Sequence, residues 1–285
     1  MSKHAKTPQV LPTNENPLAS PAAQAVALPE QTLSTATLSR QDELIPVARV
    51  IQAMSKPETR ANPNGPDFNQ GDMVLYPQRI KIGDLKNPFS VIFLRNTLEW
   101  VNMEIVGNKE EWRSEEPRID GENEDWPIEF TLDGKRMKRY RQITLYVLLP
   151  FQVEAFLKDA ESETPTLSGS VQPIALKTRN FSRRAAQEIL GVIGSKEFQL
   201  RNAVRADKGL PPIPVYNYEF KLQTENKTNP KGTFQILTYK GVGPVQNPKV
   251  KELAAAAHAH LAAQNKLRTV VVEESETSGQ VSDEV

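Results

Sequence analysis

A strict alternation of side-chain types in residues 215–222 constrains the fold more than any other feature of the chain. One face of this segment carries four apolar or aromatic residues: Tyr216, Tyr218, Phe220 and Leu222. The opposite face carries three polar ones: Asn217, Glu219 and Lys221. A repeat of two residues predicts a β-strand that buries one face and exposes the other. The chain is therefore expected to contain a sheet that is covered on one side.

Further strand-like runs are separated by turn residues along the rest of the chain. They cover residues 73–82, 89–95, 98–106, 128–132, 137–149, 171–179 and 233–240. Asp133-Gly134 lies between two of these runs, and this dipeptide strongly favours a two-residue hairpin. Short connections between strands predict an antiparallel arrangement. The fold class expected from the residues is mainly β (α+β), an antiparallel barrel or sandwich with helical additions.

Three helices are predicted late in the chain. Ser182 is a suitable N-cap for a helix over residues 183–193, with Gly194 at its end. A second helix is expected over residues 196–206, before Gly209 and two prolines. A third covers residues 248–267, because Asn247 and Pro248 provide a cap and a first helical residue.

Composition divides the chain into three parts. Residues 1–44 lack aromatic side chains and contain five prolines, so they are expected to form a disordered arm. Residues 45–268 are expected to form a single domain. Within it, residues 109–127 carry eight acidic and three basic side chains and are predicted to form an exposed acidic loop. Residues 269–285 are predicted to be an acidic tail.

The chain lacks the residues that several classes of function require. The chain has no cysteine, and its three histidines are His4, His258 and His260, so neither a metal site nor a cofactor is expected. No phosphate-binding glycine motif and no nucleophile–base pair is present, which predicts a protein that is not an enzyme. No apolar run reaches about 18 residues, and no signal-peptide stretch is seen. A cytoplasmic protein without a membrane partner is therefore expected.

The zero net charge conceals a segregation of charge along the sequence. Residues 1–127 carry a net −5, residues 128–268 carry +10, and residues 269–285 carry −5. A basic region thus lies between two acidic ones, and such a region can attract a polyanion although the sum vanishes.

The basic region contains a strand on which cations and tyrosines alternate. Five of seven consecutive residues are basic: Lys135, Arg136, Lys138, Arg139 and Arg141. In the predicted strand, Ile143, Leu145, Val147 and Leu149 are expected to face the core. The other face then presents Lys138, Tyr140, Gln142, Thr144 and Tyr146. Cations that hold phosphates and flat rings that stack on bases are the combination by which proteins bind single-stranded nucleic acid.

A second basic group lies where the strand at 171–179 meets the following helix. Its members are Lys177, Arg179, Arg183 and Arg184, and they are expected to extend the track of phosphate contacts. Two structural explanations stay open. A basic hairpin tip can serve solubility or block edge pairing, and a basic helix start can simply be solvated. Tyr140 and Tyr146 could also pack beneath a loop.

The tail ends in five carboxylates: Glu273, Glu274, Glu276, Asp283 and Glu284. A flexible acidic tail can compete with DNA for a basic groove or bind basic pockets of partner proteins. A purely solubilising end is the alternative.

The order of these segments resembles a group of bacteriophage single-stranded DNA-binding proteins with an OB-like core. The resemblance spans most of residues 45–285 as an arrangement of short motifs. These motifs are Ile45-Pro46-Val47, Ile51-Gln52-Ala53-Met54-Ser55, Phe68-Asn69-Gln70-Gly71-Asp72-Met73, the strand of Trp100, Pro173-Ile174-Ala175-Leu176-Lys177-Thr178 and the segments at 214–222, 232–239 and 243–245.

The resemblance implies an OB-like barrel that binds single-stranded DNA without sequence preference during phage DNA replication, recombination or repair. It also implies a C-terminal tail that recruits replication or recombination proteins, although this tail ends Asp283-Glu284-Val285 rather than in an apolar ring. A phage structural or interaction protein that assembles through its segregated charge, without nucleic acid, is the alternative. The oligomeric state is left open.

Overall fold

The computed structural model describes residues 44–53, 55–107, 109–119, 121–162, 171–230, 232–264 and 268–269. The arm predicted for residues 1–44 and the tail predicted for residues 269–285 fall almost wholly outside these ranges. The described part is mainly β, and most of its strands belong to one sheet that curls into a half-barrel.

The strands are named in chain order. They are β1 (Leu44–Ile45), β2 (Val47–Val50), β3 (Met73–Tyr76), β4 (Ile80–Gly83), β5 (Phe89–Val106), β6 (Lys109–Pro117), β7 (Glu129–Leu132), β8 (Lys135–Leu148), β9 (Ile174–Arg179), β10 (Tyr218–Asn229), β11 (Gly232–Pro244) and β12 (Arg268–Thr269). The main sheet has the order β11-β10-β5-β8-β9-β2-β3-β4, while β6 pairs with β5 and β7 pairs with β8.

The helices are α1 (Pro57–Arg60), α2 (Pro150–Ala160), α3 (Arg183–Ile193), α4 (Lys196–Asp207) and α5 (Pro248–Ala263). The Asn247 side chain accepts a hydrogen bond from the backbone N–H of Lys249, as its predicted capping role requires. Ser182 does not cap α3, because its hydroxyl accepts a hydrogen bond from the backbone N–H of Leu237 in β11 instead. This bond ties the start of α3 to the edge of the sheet.

Apolar side chains cover both faces of the sheet at its centre. On one face, alternate residues of β8 such as Leu145 and Val147 pack with Phe220 and with Ile189 of α3. On the other face, Tyr146 and Leu148 pack with residues of α2 and α5. Strands that are buried on both faces do not need the polar-out alternation of a one-sided sheet.

β5 and β8 are the longest strands, and they pair with each other in the interior of the main sheet. Residues 92–104 of β5 pair with residues 137–148 of β8 in antiparallel register. The hairpin turn that precedes β8 has positive φ at both Asp133 and Gly134, 50° and 75°, as in a type I′ turn. The predicted hairpin across these two residues is confirmed.

Several boundaries differ from the sequence-based expectation. Residues 109–117 are not a loop but the strand β6, in which Glu110 and Glu116 belong to a ladder with β5. An edge strand tolerates such a charged sequence, since only one of its edges needs a partner. Residues 215–217 form a 3-10 turn, so the alternating strand begins at Tyr218. The third helix ends at Ala263.

The sheet is also not purely antiparallel. β2 pairs with β9 in parallel, with Val47 opposite Ala175. The run at 73–82 is two strands, because the chain turns through Arg79, whose φ is +55°. Residues 89–106, which were predicted as two strands, form the single strand β5.

Candidate nucleic-acid interface

Beyond the doubly covered centre, the sheet continues as a smaller four-stranded unit, here called the extension. It consists of β6, residues 99–106 of β5, residues 135–141 of β8, and β7, in the order β6-β5-β8-β7. Cross-strand partners share a face, so the basic residues of β8 divide between two faces. Lys135, Arg139 and Arg141 lie on the face of Trp100, whereas Arg136, Lys138 and Tyr140 lie on the opposite face.

Tyr146 does not lie on an exposed surface, so its predicted role in base stacking is wrong. Its side chain is 1% exposed and packs with residues of α2 and α5. Burial raises the pKa of the Tyr146 phenol from 10.0 to about 12, because the phenolate is poorly solvated there. Gln142 and Thr144 are buried on the same face and both donate hydrogen bonds to Glu99.

Three predicted phosphate contacts are instead ion-paired with carboxylates of the extension. The Lys135 ammonium lies 3.1 Å from Glu104, that of Lys138 lies 3.7 Å from Glu110, and that of Lys177 lies 2.7 Å from Glu115. Lys138 and Lys177 are largely buried by these contacts. The Lys135 ammonium and the Arg113 guanidinium hold the pKa of the Glu104 carboxyl below its ordinary value. The acidic strand β6 therefore neutralises part of the predicted track.

Tyr140 is half-buried and belongs to the same network. Its hydroxyl donates a hydrogen bond to the Glu110 carboxylate at 2.8 Å, and Lys138 lies 5.0 Å from its ring centroid. One end of the ring is thus fixed by an ion-paired pocket. This arrangement gives Tyr140 a structural role in joining β8 to β6.

Arg139 is held between aromatic rings and does not project freely. Its guanidinium lies 3.6 Å from the Phe130 centroid and 4.4 Å from that of Trp126, and its Nε donates to Asn102 Oδ1. Burial lowers the pKa of Arg139 below its ordinary value. Arg139 thereby fixes Trp126 and Pro127 against the sheet.

Residues 118–119 and 121–128 lie over Trp100, which is 1% exposed. The indole Nε1 of Trp100 donates to the carbonyl of Asn123 at 2.9 Å, and the Asn123 side chain bonds back to the main chain of Pro117 and Ile119. This part of the predicted acidic loop therefore forms a hydrogen-bonded turn that covers Trp100 on one face of the extension.

Two exposed cations of the β8 cluster are not ion-paired with any carboxylate of the described residues. Arg136 and Arg141 have no carboxylate partner within the part of the chain that the structure describes. Arg141 lies 5.5 Å from the Trp100 ring centroid. It stands beside the point where β9 ends, because Arg179 pairs with Gln142, the next residue of β8.

The second predicted basic group is divided in the same way. Arg179 contacts the Met103 sulfur at 4.0 Å, and Arg184 pairs with Glu188 one turn along α3 although it projects into solvent. Arg183 is half-exposed and begins α3.

Two phenylalanines lie beside this group, and they were not among the residues predicted from the sequence. Phe181 stacks on Phe234 of β11 with ring centroids 5.3 Å apart, and the exposed ammonium of Lys227 lies 3.9 Å from the Phe181 centroid. Both rings are half-exposed. The signal was the position of Phe181 inside the basic run from Lys177 to Arg184.

These residues define one surface, here called the rim cluster: Arg141, Phe181, Arg183, Lys227 and Phe234. The 3-10 turn Asn180–Ser182 holds it together, because this turn contacts β8, β11 and α3. The rim cluster lies at the end of the half-barrel and is built from three separate segments of the chain.

Other predicted features lie elsewhere or outside the described residues. The tail residues Glu273, Glu274, Glu276, Asp283 and Glu284 belong to the part of the chain that is not described. In the described part, no group of three histidine or acidic side chains could hold a metal ion. None of the described helices is both long enough and apolar enough to cross a membrane.

Comparison of the chain with protein-family models, with curated proteins and with solved structures gives no match in any of the three.

Proposed function

We propose that this protein binds single-stranded DNA without sequence preference and without cleaving it, through the rim cluster. The observation that carries the proposal is the exposed Lys227 ammonium 3.9 Å from Phe181, which stacks on Phe234 beside Arg183. Cations take the phosphates, while half-exposed rings offer flat surfaces to unpaired bases. Every base has such a flat face, so stacking does not select a sequence.

The proposed surface differs from the one that the sequence alone favours. Lys135, Lys138 and Lys177 already pair with carboxylates, and a phosphate would have to displace those partners. Arg141, Arg183 and Lys227 have no such competitor in the described residues. The rim cluster therefore takes the central role. Arg136 is exposed too, but it lies on the opposite face of the extension from Arg141 and is not part of this surface.

A broader setting follows from the resemblance to phage single-stranded DNA-binding proteins. It implies that the half-barrel is an OB-like core and that binding serves phage DNA replication, recombination or repair in the host cytoplasm. The acidic tail would then contact other replication proteins.

The test compares two triple variants by fluorescence anisotropy on a labelled oligo-dT. Arg141→Ala, Arg183→Ala and Lys227→Ala together remove three cations of the rim cluster. The matched control removes three exposed lysines from other elements: Lys86→Ala, Lys158→Ala and Lys249→Ala. We expect the rim variant to bind at least about tenfold more weakly and to reduce the log–log salt slope by about 2, at roughly 0.7 per phosphate contact. The control variant should match the wild type.

A separate substitution distinguishes stacking from charge. Phe181→Leu keeps an apolar side chain but removes the flat ring, so affinity should fall by about 1–3 kcal/mol per lost stack while the salt slope is unchanged. Circular dichroism checks that the variant is folded. A wild-type protein that does not bind oligo-dT, or binds it equally at low and high salt, contradicts the proposal. Labelled DNA incubated with Mg²⁺ should stay intact.

A further inference from the structure

Helix α4 differs from the other long helices in that it has no buried residue. None of its twelve residues, all of which are described, is buried, whereas α2, α3 and α5 each bury two or three. Isolated helices of about 12–15 residues or fewer are marginal in water, and packing of an apolar face usually stabilises them. The structure therefore leaves α4 without the cover that a helix of this length needs.

One side of α4 does contact the rest of the domain, through a few specific interactions. Phe198 meets the Tyr218 ring with centroids 5.9 Å apart, and Asn202 Oδ1 accepts a hydrogen bond from the backbone N–H of Ile213 at 2.7 Å. Arg205 Nε donates to the carbonyl of Pro211. These residues fix which side of α4 faces inward and, by the 100° rotation per residue, which side faces outward.

The outward side carries an apolar stripe with charged ends, here called the α4 stripe: Lys196, Leu200, Ala203, Val204 and Asp207. All five are exposed. Leu200 is 65% exposed, more than any other large hydrophobic residue of the described chain, and Val204 is 45% exposed. Leu210, just beyond the helix, is 47% exposed and widens the patch. Contiguous exposed apolar surface of this kind marks interaction sites.

We propose that the α4 stripe is the interface with a second copy of this chain, in which two α4 helices pack antiparallel about a two-fold axis. The stripe is complementary to itself in charge, because it has a cation at one end and a carboxylate at the other. Its apolar residues lie around the helix centre near position 202, so Leu200 of one copy meets Val204 of the other.

In this antiparallel arrangement, the oppositely charged ends of the two α4 stripes lie next to each other. Lys196 lies about 9 Å before the centre and Asp207 about 7.5 Å after it, at a rise of 1.5 Å per residue. In an antiparallel pair each Lys196 therefore stands opposite Asp207 of the second copy, and this contact occurs twice. A two-fold interface in which one patch meets itself is the commonest arrangement in homo-oligomers.

The contact area of one short helix is small compared with about 800 Å² per partner in a stable complex. Association is accordingly weak and depends on concentration. It requires no nucleic acid, so it is independent of the proposed function.

Sedimentation velocity over a wide concentration range, without DNA, tests the interface. The wild type should shift from monomer to dimer as concentration rises. Leu200→Glu with Val204→Glu should raise the dimer dissociation constant at least about tenfold, because two like charges per copy meet across the axis. The matched control, Ile80→Glu with Phe151→Glu, alters two exposed hydrophobic residues on other elements and should leave the dimer intact.

A charge swap tests the antiparallel register. Lys196→Asp and Asp207→Lys should each weaken the dimer, while the double variant should restore it, since the opposite charges face each other again. If the double variant is no better than either single variant, the register is wrong and the proposal fails.

The absence of cysteine allows an independent check. Ala203→Cys introduces a single thiol, and the two copies of residue 203 lie about 3 Å apart along the helix axis in the proposed pair. A short bismaleimide should cross-link this variant as a dimer but not the control Ala155→Cys on α2. A wild type that stays monomeric overturns the proposal. A second outcome would also overturn the proposal: the protein is a monomer, and deletion of residues 270–285 lowers the hydrogen-exchange protection of the α4 amides. The stripe would then bind that segment of the same chain.

Discussion

The same two strands, β5 and β8, pass through two different environments. Residues 89–98 and 142–148 lie in the centre of the sheet, where apolar side chains cover both faces. Residues 99–106 and 135–141 lie in the extension, where Glu104 and Glu110 pair with lysines and Arg139 lies between rings. The backbone ladder is continuous across both regions. Side-chain chemistry, and not strand pairing, therefore makes one region a core and the other a polar surface.

This difference concerns function as well as stability. In the centre, side chains on both faces of the sheet are buried, so few of them are available to contact a ligand. In the extension, carboxylates of β5 and β6 pair with Lys135 and Lys138, so these two cations are neutralised without a ligand. The rim cluster, which lies beside the junction of the two regions, combines cations that have no carboxylate partner in the described residues with half-exposed rings.

Leu145→Ala should cause the largest loss in the free energy of unfolding, and it tests the difference between the two regions most directly. Leu145 is fully buried in the central core, and removing such a side chain leaves a cavity that costs about 2–5 kcal/mol in the free energy of unfolding. Arg136→Ala, on the same strand but in the extension, should change it by less than about 0.5 kcal/mol. Chemical denaturation measures both. Equal losses would show that the two regions do not differ as described.

The central region should also become less stable at alkaline pH because of Tyr146. The pKa of its phenol is about 12 in the folded protein and near 10.0 when unfolded. The contribution of Tyr146 is thus fully present below pH 10 and is lost as pH rises towards 12, when only the unfolded state ionises readily. Two pKa units correspond to at most about 3 kcal/mol. Tyr146→Phe should flatten this loss in denaturation series between pH 9 and pH 12, and an unchanged slope would contradict the assignment.

Regular local signals were enough to predict much of the fold. The bounds of α3, the cap at Asn247 and the turn at Asp133-Gly134 follow from residue type and spacing, which act over a few neighbouring residues. Burial of the second face did not follow, because it depends on α2, which was not predicted from the sequence, and on α5, which lies far along the chain from β8. The run from Ile143 to Leu149 is nearly all apolar, and this is the pattern of a strand buried on both sides. Read in that way, it would have placed Tyr146 in the interior.

The site was predictable only in part, for a related reason. Counting charges along the chain located the basic residues of β8 and of the β9–α3 junction. It could not show that β6 lies beside them, since an acidic segment with few apolar residues has the composition of a loop. Pairing between Lys177 and Glu115, or between Phe181 and Phe234, joins residues more than 50 positions apart. Only the folded arrangement reveals which cations are already neutralised.

Arg139→Lys should cause the smallest loss of stability, and it tests the contacts within the extension. A lysine keeps the charge but loses the planar group that lies over Phe130 and Trp126, so about 0.5–1 kcal/mol of stability should be lost. Arg136→Lys is the matched control, because Arg136 is exposed on the same strand. Tryptophan emission should shift to longer wavelength only in the first variant, because Trp126 becomes more exposed to water when Arg139 no longer holds it. If both variants behave alike, the rings do not hold Arg139, and hydrogen bonds such as that between Trp100 and Asn123 fix the neighbouring turn instead.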